Sequence, residues 1–185
     1  IRLAEAYGII EVGLPFIHAP AAGGYDGRLG QPLPAYEIRL DDGEVQIRGP
    51  GLFDAYFSPW QTRTDIAPDG WFRTGDLGEI APDGELRLLG RRKAVINFSG
   101  MKIFPQEVEA VLDRFPGVAE SLVYGEPHPE YGQLPQAKLV LRDGPLDVAA
   151  LRAFCRAHLA PHKIPKAFET VAALPKTASG KIRRV

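Results

Sequence analysis

Polar and apolar residues alternate along Ala35-Tyr36-Glu37-Ile38-Arg39-Leu40, and again along Glu44-Val45-Gln46-Ile47-Arg48 after Asp41-Asp42-Gly43. A period of two sends every second side chain to one face, so both runs read as half-buried β-strands. The intervening Asp-Asp-Gly predicts a hairpin, because Gly43 accepts the positive φ that such turns require. Leu77-Gly78-Glu79-Ile80-Ala81 and Glu85-Leu86-Arg87-Leu88-Leu89 flank Pro82-Asp83-Gly84 in the same manner. Short strands with turn signals between them predict a β-rich first segment, folded as a small barrel or curled sheet. The Gly- and Pro-rich stretch 19–34 reads as connecting loop.

Beyond Leu89 the period changes. Val108, Val111, Leu112 and Phe115 recur on one helical face after Pro105, which suits a first helical position, and Pro116-Gly117 ends the run. Ser121 to Tyr124 and Gln136 to Leu141 read as strands. Asp147 reads as the N-cap of a helix burying Val148, Leu151, Phe154, Cys155 and Leu159. Ala167 to Val171 is a last short strand. The fold class is therefore α+β, with a first region 1–90, a junction 91–94 and a second region 95–185 that has its own core.

Composition narrows the functions open to such a chain. A formal net charge of -1 over 185 residues lacks the positive footprint of a nucleic-acid binder. The one cysteine, Cys155, excludes an internal disulfide framework and fits a reducing, cytoplasmic setting. No apolar run approaches the roughly 20 residues needed to cross a bilayer. The sole methionine is Met101, so Ile1 reads as an internal position and the chain as an excerpt of a longer protein.

Four groups of residues carry candidate chemistry. Pro175-Lys176-Thr177-Ala178-Ser179-Gly180-Lys181-Ile182-Arg183-Arg184 is a Gly-punctuated loop aiming Lys181, with cations on both sides. A lysine is a mobile point charge on a long stem, suited to clamping an anion as it reacts. Tyr7-Gly8-Ile9-Ile10-Glu11 offers a flat aromatic platform, a residue without Cβ and a hard oxygen ligand. Trp71-Phe72-Arg73-Thr74-Gly75-Asp76-Leu77 ends in an acceptor-only carboxylate, and Arg91 follows at fifteen positions. Gly90-Arg91-Arg92-Lys93 leads into Ile96-Asn97-Phe98-Ser99-Gly100-Met101-Lys102-Ile103-Phe104-Pro105-Gln106-Glu107-Val108-Glu109.

Taken together these motifs resemble the adenylate-forming superfamily: acyl-CoA synthetases, carrier-loading adenylation domains and luciferases. The resemblance extends over essentially the whole chain. It implies the distal β-barrel end of a large N-terminal domain followed by a small, mobile C-terminal domain. By the same resemblance Tyr7 stacks on adenine and Gly8 and Ile10 border the nucleotide. Glu11 helps hold the magnesium that accompanies ATP. Asp76 and Arg91 receive the ribose, and Leu88 packs nearby. Lys93 is the hinge, Ser99 and Gly100 line the passage for the thiol, and Lys181 bridges the acid and the α-phosphate. Ile10 departs from the family, which has a threonine there, and Asn97 is not the basic residue of some relatives. The implied reaction joins a carboxylic acid to coenzyme A at the expense of ATP, leaving AMP. A carrier protein as acceptor, and a nucleotide-binding homologue without chemistry, are the alternatives.

Other residues invite plainer readings. Cys155 lies on an apolar helical stripe and reads as core. His158 and His162 lack carboxylate or cysteine partners at zinc-site spacing. His18 follows the Glu11 element, where relatives line the acyl pocket, and Trp60 and Trp71 read as packing residues.

Overall fold

The computed structural model of the chain describes residues 5–18 and 28–184. Two compact units meet between Arg92 and Lys93. In the first, β1 (Glu5–Ile9) and β2 (Gly13–His18) form one antiparallel pair. The strands β3 (Glu37–Asp41) and β4 (Glu44–Arg48) form the first expected hairpin, closed by Asp42 and Gly43 with φ of 49° and 75°. A small ribbon, β5 (Ala55–Tyr56) and β6 (Gln61–Thr62), leads into a single helical turn, α1 (Arg63–Ile66). Next come β7 (Phe72–Ile80) and β8 (Leu86–Arg91), the second expected hairpin, and the larger sheet runs β3-β4-β7-β8.

That sheet is open. Among the described residues no pairing joins β3 to β8, so the barrel expected from the sequence is not formed while the α+β class holds. The loop expected over 19–34 holds where it lies within the described residues, which carry no helix or strand beyond an isolated bridge at Arg28, but it is tied down. Leu29 N donates to Leu86 O at 2.8 Å, and Leu86 N donates to Gly30 O at 3.0 Å, so this piece lines the outer edge of β8. Edge backbone is satisfied by whatever chain passes close enough, and composition does not report that. Val12, Phe16, Val45, Ile47, Phe72 and Leu86 form the core of this unit.

The second unit opens with a short 3-10 turn (Arg92–Ala94 in full) and a tight hairpin, β9 (Ile96–Phe98) and β10 (Met101–Ile103). No strand was expected from the sequence over this hairpin, whose residues were read only as part of the junction motif. The helix α2 (Pro105–Leu112) begins at Pro105 as expected, but stops at Leu112, four residues before Pro116. The long strands β11 (Val118–His128) and β12 (Gly132–Leu141) pair throughout. The helix α3 (Val148–His158) follows, and β13 (Ala167–Thr170) returns parallel to β12.

Both helices contribute to one core with the sheet: Val108 and Leu112 from α2, Leu151 and Cys155 from α3, and Val123, Ala137 and Leu139 from the strands. Val148, expected to be buried, is exposed in the first turn of α3, where only the capping interaction is needed. That cap is present: Asp147 Oδ1 accepts the Ala150 backbone N–H at 2.9 Å. Replacing Asp147 by alanine leaves this amide without its partner and should cost about 1 kcal/mol. Urea unfolding of the 185-residue chain, followed by circular dichroism, measures it. An unchanged midpoint would remove the cap from the account of α3.

Candidate active site

Register places the first two site residues opposite each other. In the β7–β8 ladder Asp76 is the partner of Arg91, and the Arg91 Nε lies 2.8 Å from Asp76 Oδ1. Asp76 is only 5% exposed, whereas the Arg91 side chain is 59% exposed, so the pair sits at a surface opening with its carboxylate inside. The second carboxylate oxygen accepts the Tyr7 hydroxyl at 2.5 Å. The Asp76 backbone N–H donates to Thr74 Oγ1, whose own proton goes to Val45 O at 2.8 Å. Tyr7 is half-buried with its ring edge-on to Phe16. Burial, its bond to Asp76 and the nearby carboxylate charge push the Tyr7 phenol well above its ordinary range. Tyr7 therefore remains a donor at every physiological pH. A carboxylate offers about four acceptor sites. Two are used here, so a vicinal diol could engage the others.

Glu11 is tied to a residue that sequence reading did not single out. The Tyr56 hydroxyl donates to Glu11 Oε1 at 2.6 Å, and Glu11 O accepts the Phe53 N–H. Burial and the Glu11 carboxylate push the Tyr56 phenol up to about 12. Glu11 Oε2 has no partner among the described residues. None of these residues cluster as three or more His, Cys, Asp or Glu able to hold a metal by themselves. That fits magnesium, which commonly takes one or two carboxylates and draws its other ligands from phosphates and water.

The remaining first-unit candidates sit around this frame. Ile10 is 98% exposed at the tip of the β1–β2 turn. Gly8 is exposed, and a Cβ there would come within 3.0 Å of Gly13 O, so the hairpin itself already favours glycine. Leu88 is half-buried against the first core. His18 is half-buried on β2 beside Gly30.

In the second unit Lys93 is exposed in the 3-10 turn. Ser99 and Gly100 are the two turn residues of the β9–β10 hairpin, with φ of 50° and 80°. The Ser99 N–H donates to Tyr131 O. Nothing lies within 4 Å of where a Gly100 Cβ would stand, so within this chain the glycine answers a backbone demand, positive φ.

Lys181 sits on a hairpin-like loop. Lys176 bridges to Ile182, the Thr177 N–H donates to Lys181 O, and the Lys181 N–H donates to Thr177 Oγ1. The flanking cations expected to reinforce Lys181 are mostly engaged elsewhere. Lys176 Nζ is 2.5 Å from Glu120 Oε1, and Arg184 grips both Glu109 oxygens at 2.8 and 2.5 Å. These pairs staple the two ends of the loop to β11 and α2. The Lys181 side chain is exposed and has no partner among the described residues.

Along its whole length the chain is similar to known proteins. Residues 107–181 match the AMP-binding enzyme C-terminal domain. A 2-succinylbenzoate–CoA ligase of Listeria monocytogenes is 36% identical over 187 aligned residues, covering 100% of this chain and 40% of the ligase. The chain belongs to the adenylate-forming superfamily. A sulfoacetate–CoA ligase of Cupriavidus necator is 40% identical over 161 residues, covering 86% of this chain and 31% of that protein. The o-succinylbenzoate CoA synthetase of Bacillus subtilis, solved with its acyl-adenylate intermediate, matches with a TM-score of 0.88 at 33% identity. That match covers 98% of this chain and 40% of the synthetase, which was also solved with ATP and a magnesium ion. The chain thus spans about 40% of the length of such relatives.

The plainer sequence readings divide. Cys155 is fully buried, and burial raises its thiol, as suits a core residue. His158 stacks near Phe154, its Nδ1 2.9 Å from Phe154 O, and neither it nor His162 joins a metal cluster among the described residues. Trp60 is 68% exposed and so is not a packing residue. Trp71 is half-buried and packs against the Arg39 and Arg48 guanidinium groups, which lie 4.5 and 4.7 Å from the centre of its ring. Tyr56 and Thr74 support the site and were not identified from the sequence. Thr74 stood inside a quoted motif, but nothing around Tyr56 marked its hydroxyl.

If Asp76 receives a ribose diol, Asp76→Asn, which keeps the shape and loses acceptor capacity, should weaken AMP binding. The loss expected is about 1.5–3 kcal/mol, the range for hydrogen bonds to a charged group. Titration calorimetry of the chain with AMP reads it directly. An affinity equal to wild type would place the ribose elsewhere.

Proposed function

We propose that this chain supplies the ribose-binding, hinge and lysine-loop parts of an AMP-forming ligase that joins a carboxylic acid to coenzyme A. The observation that carries the reading is the Tyr7–Asp76–Arg91 constellation, a buried carboxylate with spare acceptor capacity at a surface opening. Tyr7 and Arg91 orient that carboxylate, and Asp76 accepts the ribose hydroxyls of ATP. Gly8, Ile10 and Leu88 border the nucleotide. A magnesium ion would be held by Glu11 and would supply charge neutralisation on the phosphates when bound.

In the first half-reaction a carboxylate oxygen of the acid attacks the α-phosphorus and the bond to pyrophosphate breaks. Negative charge crowds the phosphorus, and preorganised cations provide most of the help available. Lys181 serves because its ammonium has no partner among the described residues while the loop beneath it is stapled at both ends. In the second half-reaction a thiol attacks the acyl carbonyl, and AMP leaves with the bonding electrons. Ser99 and Gly100 line the thiol passage, and the small unit turns about Lys93 between the steps. The separation of compact units at Arg92/Lys93 supports that pivot. Coenzyme A is favoured over a carrier protein because the relatives named above are CoA ligases. Those relatives are named for an aromatic and a sulfonated acid, so the reading stops at the carboxylic-acid class.

The tests use the ligase that carries this chain, or a chimera joining it to the preceding part of the Bacillus subtilis synthetase. Lys181→Ala should lower acid-dependent ATP–pyrophosphate exchange on the order of 100- to 1000-fold, as loss of one transition-state contact does. Thioester formation from supplied acyl-adenylate should continue. Unchanged exchange would sink the assignment of Lys181.

The pivot has its own test. Lys93→Pro fixes φ near -65° and removes an N–H. One half-reaction should then fall sharply while the other persists, each assayed alone. If both rates stayed at wild type, or fell together with thermal stability, the junction would be ordinary structure.

A further inference from the structure

Glu44 is a buried carboxylate to which the reaction as described assigns no work. It is 7% exposed and lies at the start of β4, directly after the β3–β4 turn. Its Oε1 accepts the Gly75 backbone N–H at 3.0 Å, and its Oε2 faces Arg92 NH1 at 2.8 Å. Gly75 has φ of 73° and immediately precedes Asp76. Arg92 is the last residue of the first unit and immediately precedes Lys93. The turn that carries Glu44 is itself tied down, since the Gly78 N–H donates to Gly43 O at 3.0 Å.

We propose that Glu44 is a positioning residue for the ligase reaction, fixing with one carboxylate both the backbone that presents Asp76 and the first-unit end of the hinge. The proposal rests on the ribose-and-hinge reading above. Gly75 in a left-handed conformation aims the next residue, and only a held N–H keeps that conformation against the alternatives open to glycine. Rotation about Lys93 likewise needs a fixed point before it, or the torsional change spreads into Arg91 and the ribose contact.

Magnitude identifies Glu44 as the anchor. Asp42 also approaches Arg92, at 3.3 Å, but its side chain is 75% exposed, and such surface pairs contribute little. The Glu44 side chain is 9% exposed, where removing one partner of an ion pair leaves a poorly compensated charge. The two functions use different oxygens, so they can be separated by mutation. Glu44→Gln keeps an oxygen for Gly75 and loses the charge facing Arg92. Glu44→Ala loses both.

Two readouts on the ligase that carries this chain, or on the chimera described above, test this: AMP affinity by calorimetry, and amide hydrogen exchange at Gly75 and over Arg92–Ala94. Glu44→Gln should speed exchange over Arg92–Ala94 by about 10-fold or more, the effect of losing a charge-assisted bond, with AMP affinity within about 2-fold of wild type. Glu44→Ala should add faster exchange at Gly75 and weaken AMP by about 10-fold or more. A merely structural carboxylate would give both variants the same lowered thermal midpoint and uniformly faster exchange along β4 and β7, and that result overturns the proposal. So does wild-type exchange at Gly75 in Glu44→Ala. Failure of the underlying reading looks different: wild type itself would not bind AMP, while the exchange arms would still show whether Glu44 holds Gly75 and Arg92.

Discussion

A carboxylate withdrawn almost wholly from water must be compensated where it stands, and at Asp76 that requirement organises the first unit. Arg91 compensates one oxygen and Tyr7 the other. Neither can do so unless β7 and β8 keep their register and β1 lies beside them. A slip of one residue in the β7–β8 ladder would turn Arg91 to the opposite face and strand the charge. Leaving a carboxylate this buried without its cation is costly, though less so than in a fully buried pair, because the Arg91 side chain is 59% exposed. The demand that makes Asp76 a usable acceptor for a diol is thus also a demand on strand pairing.

The second unit meets the same requirement with a different consequence. Glu109 on α2 is nearly buried, accepts the Val123 N–H and is gripped by Arg184. Arg184 lies three residues beyond Lys181, so satisfying a buried acid fixes one end of the lysine loop. Lys176 and Glu120 hold the other end. The outcome is a loop anchored at both ends by Lys176 and Arg184, whose central lysine has no partner among the described residues. A continuous basic tail would have distributed its charge over four mobile side chains, Lys176, Lys181, Arg183 and Arg184, with no preferred geometry.

Much of the fold was legible because its signals are local. Asp42-Gly43 and Pro82-Asp83-Gly84 could only be turns, and the runs beside them alternate cleanly. Asp147 announced the start of α3 because a short acceptor side chain satisfies an amide three residues on, with no help from elsewhere. The β9–β10 hairpin escaped notice because strands of three residues are too short to display a period. Its Ser99-Gly100 turn was read for chemistry when it was also the structural signal. The barrel was over-read for a related reason. Alternation reports that a strand has one buried face, but not whether the last strand of a sheet finds the first.

The sequence by itself determined the residue types the chemistry needs, the spacing of Asp76 and Arg91, and the glycine turns and the N-cap of α3, because these depend on neighbours a few positions apart. Only the tertiary structure decided which polar atoms meet. Tyr7 reaches Asp76 across 69 positions, Tyr56 reaches Glu11 across 45, Arg92 reaches Glu44 across 48, and Arg184 reaches Glu109 across 75. No local propensity encodes such pairs. They form because folding removes water from a carboxylate, and whichever donor the packed strands and helices have brought within reach must replace it.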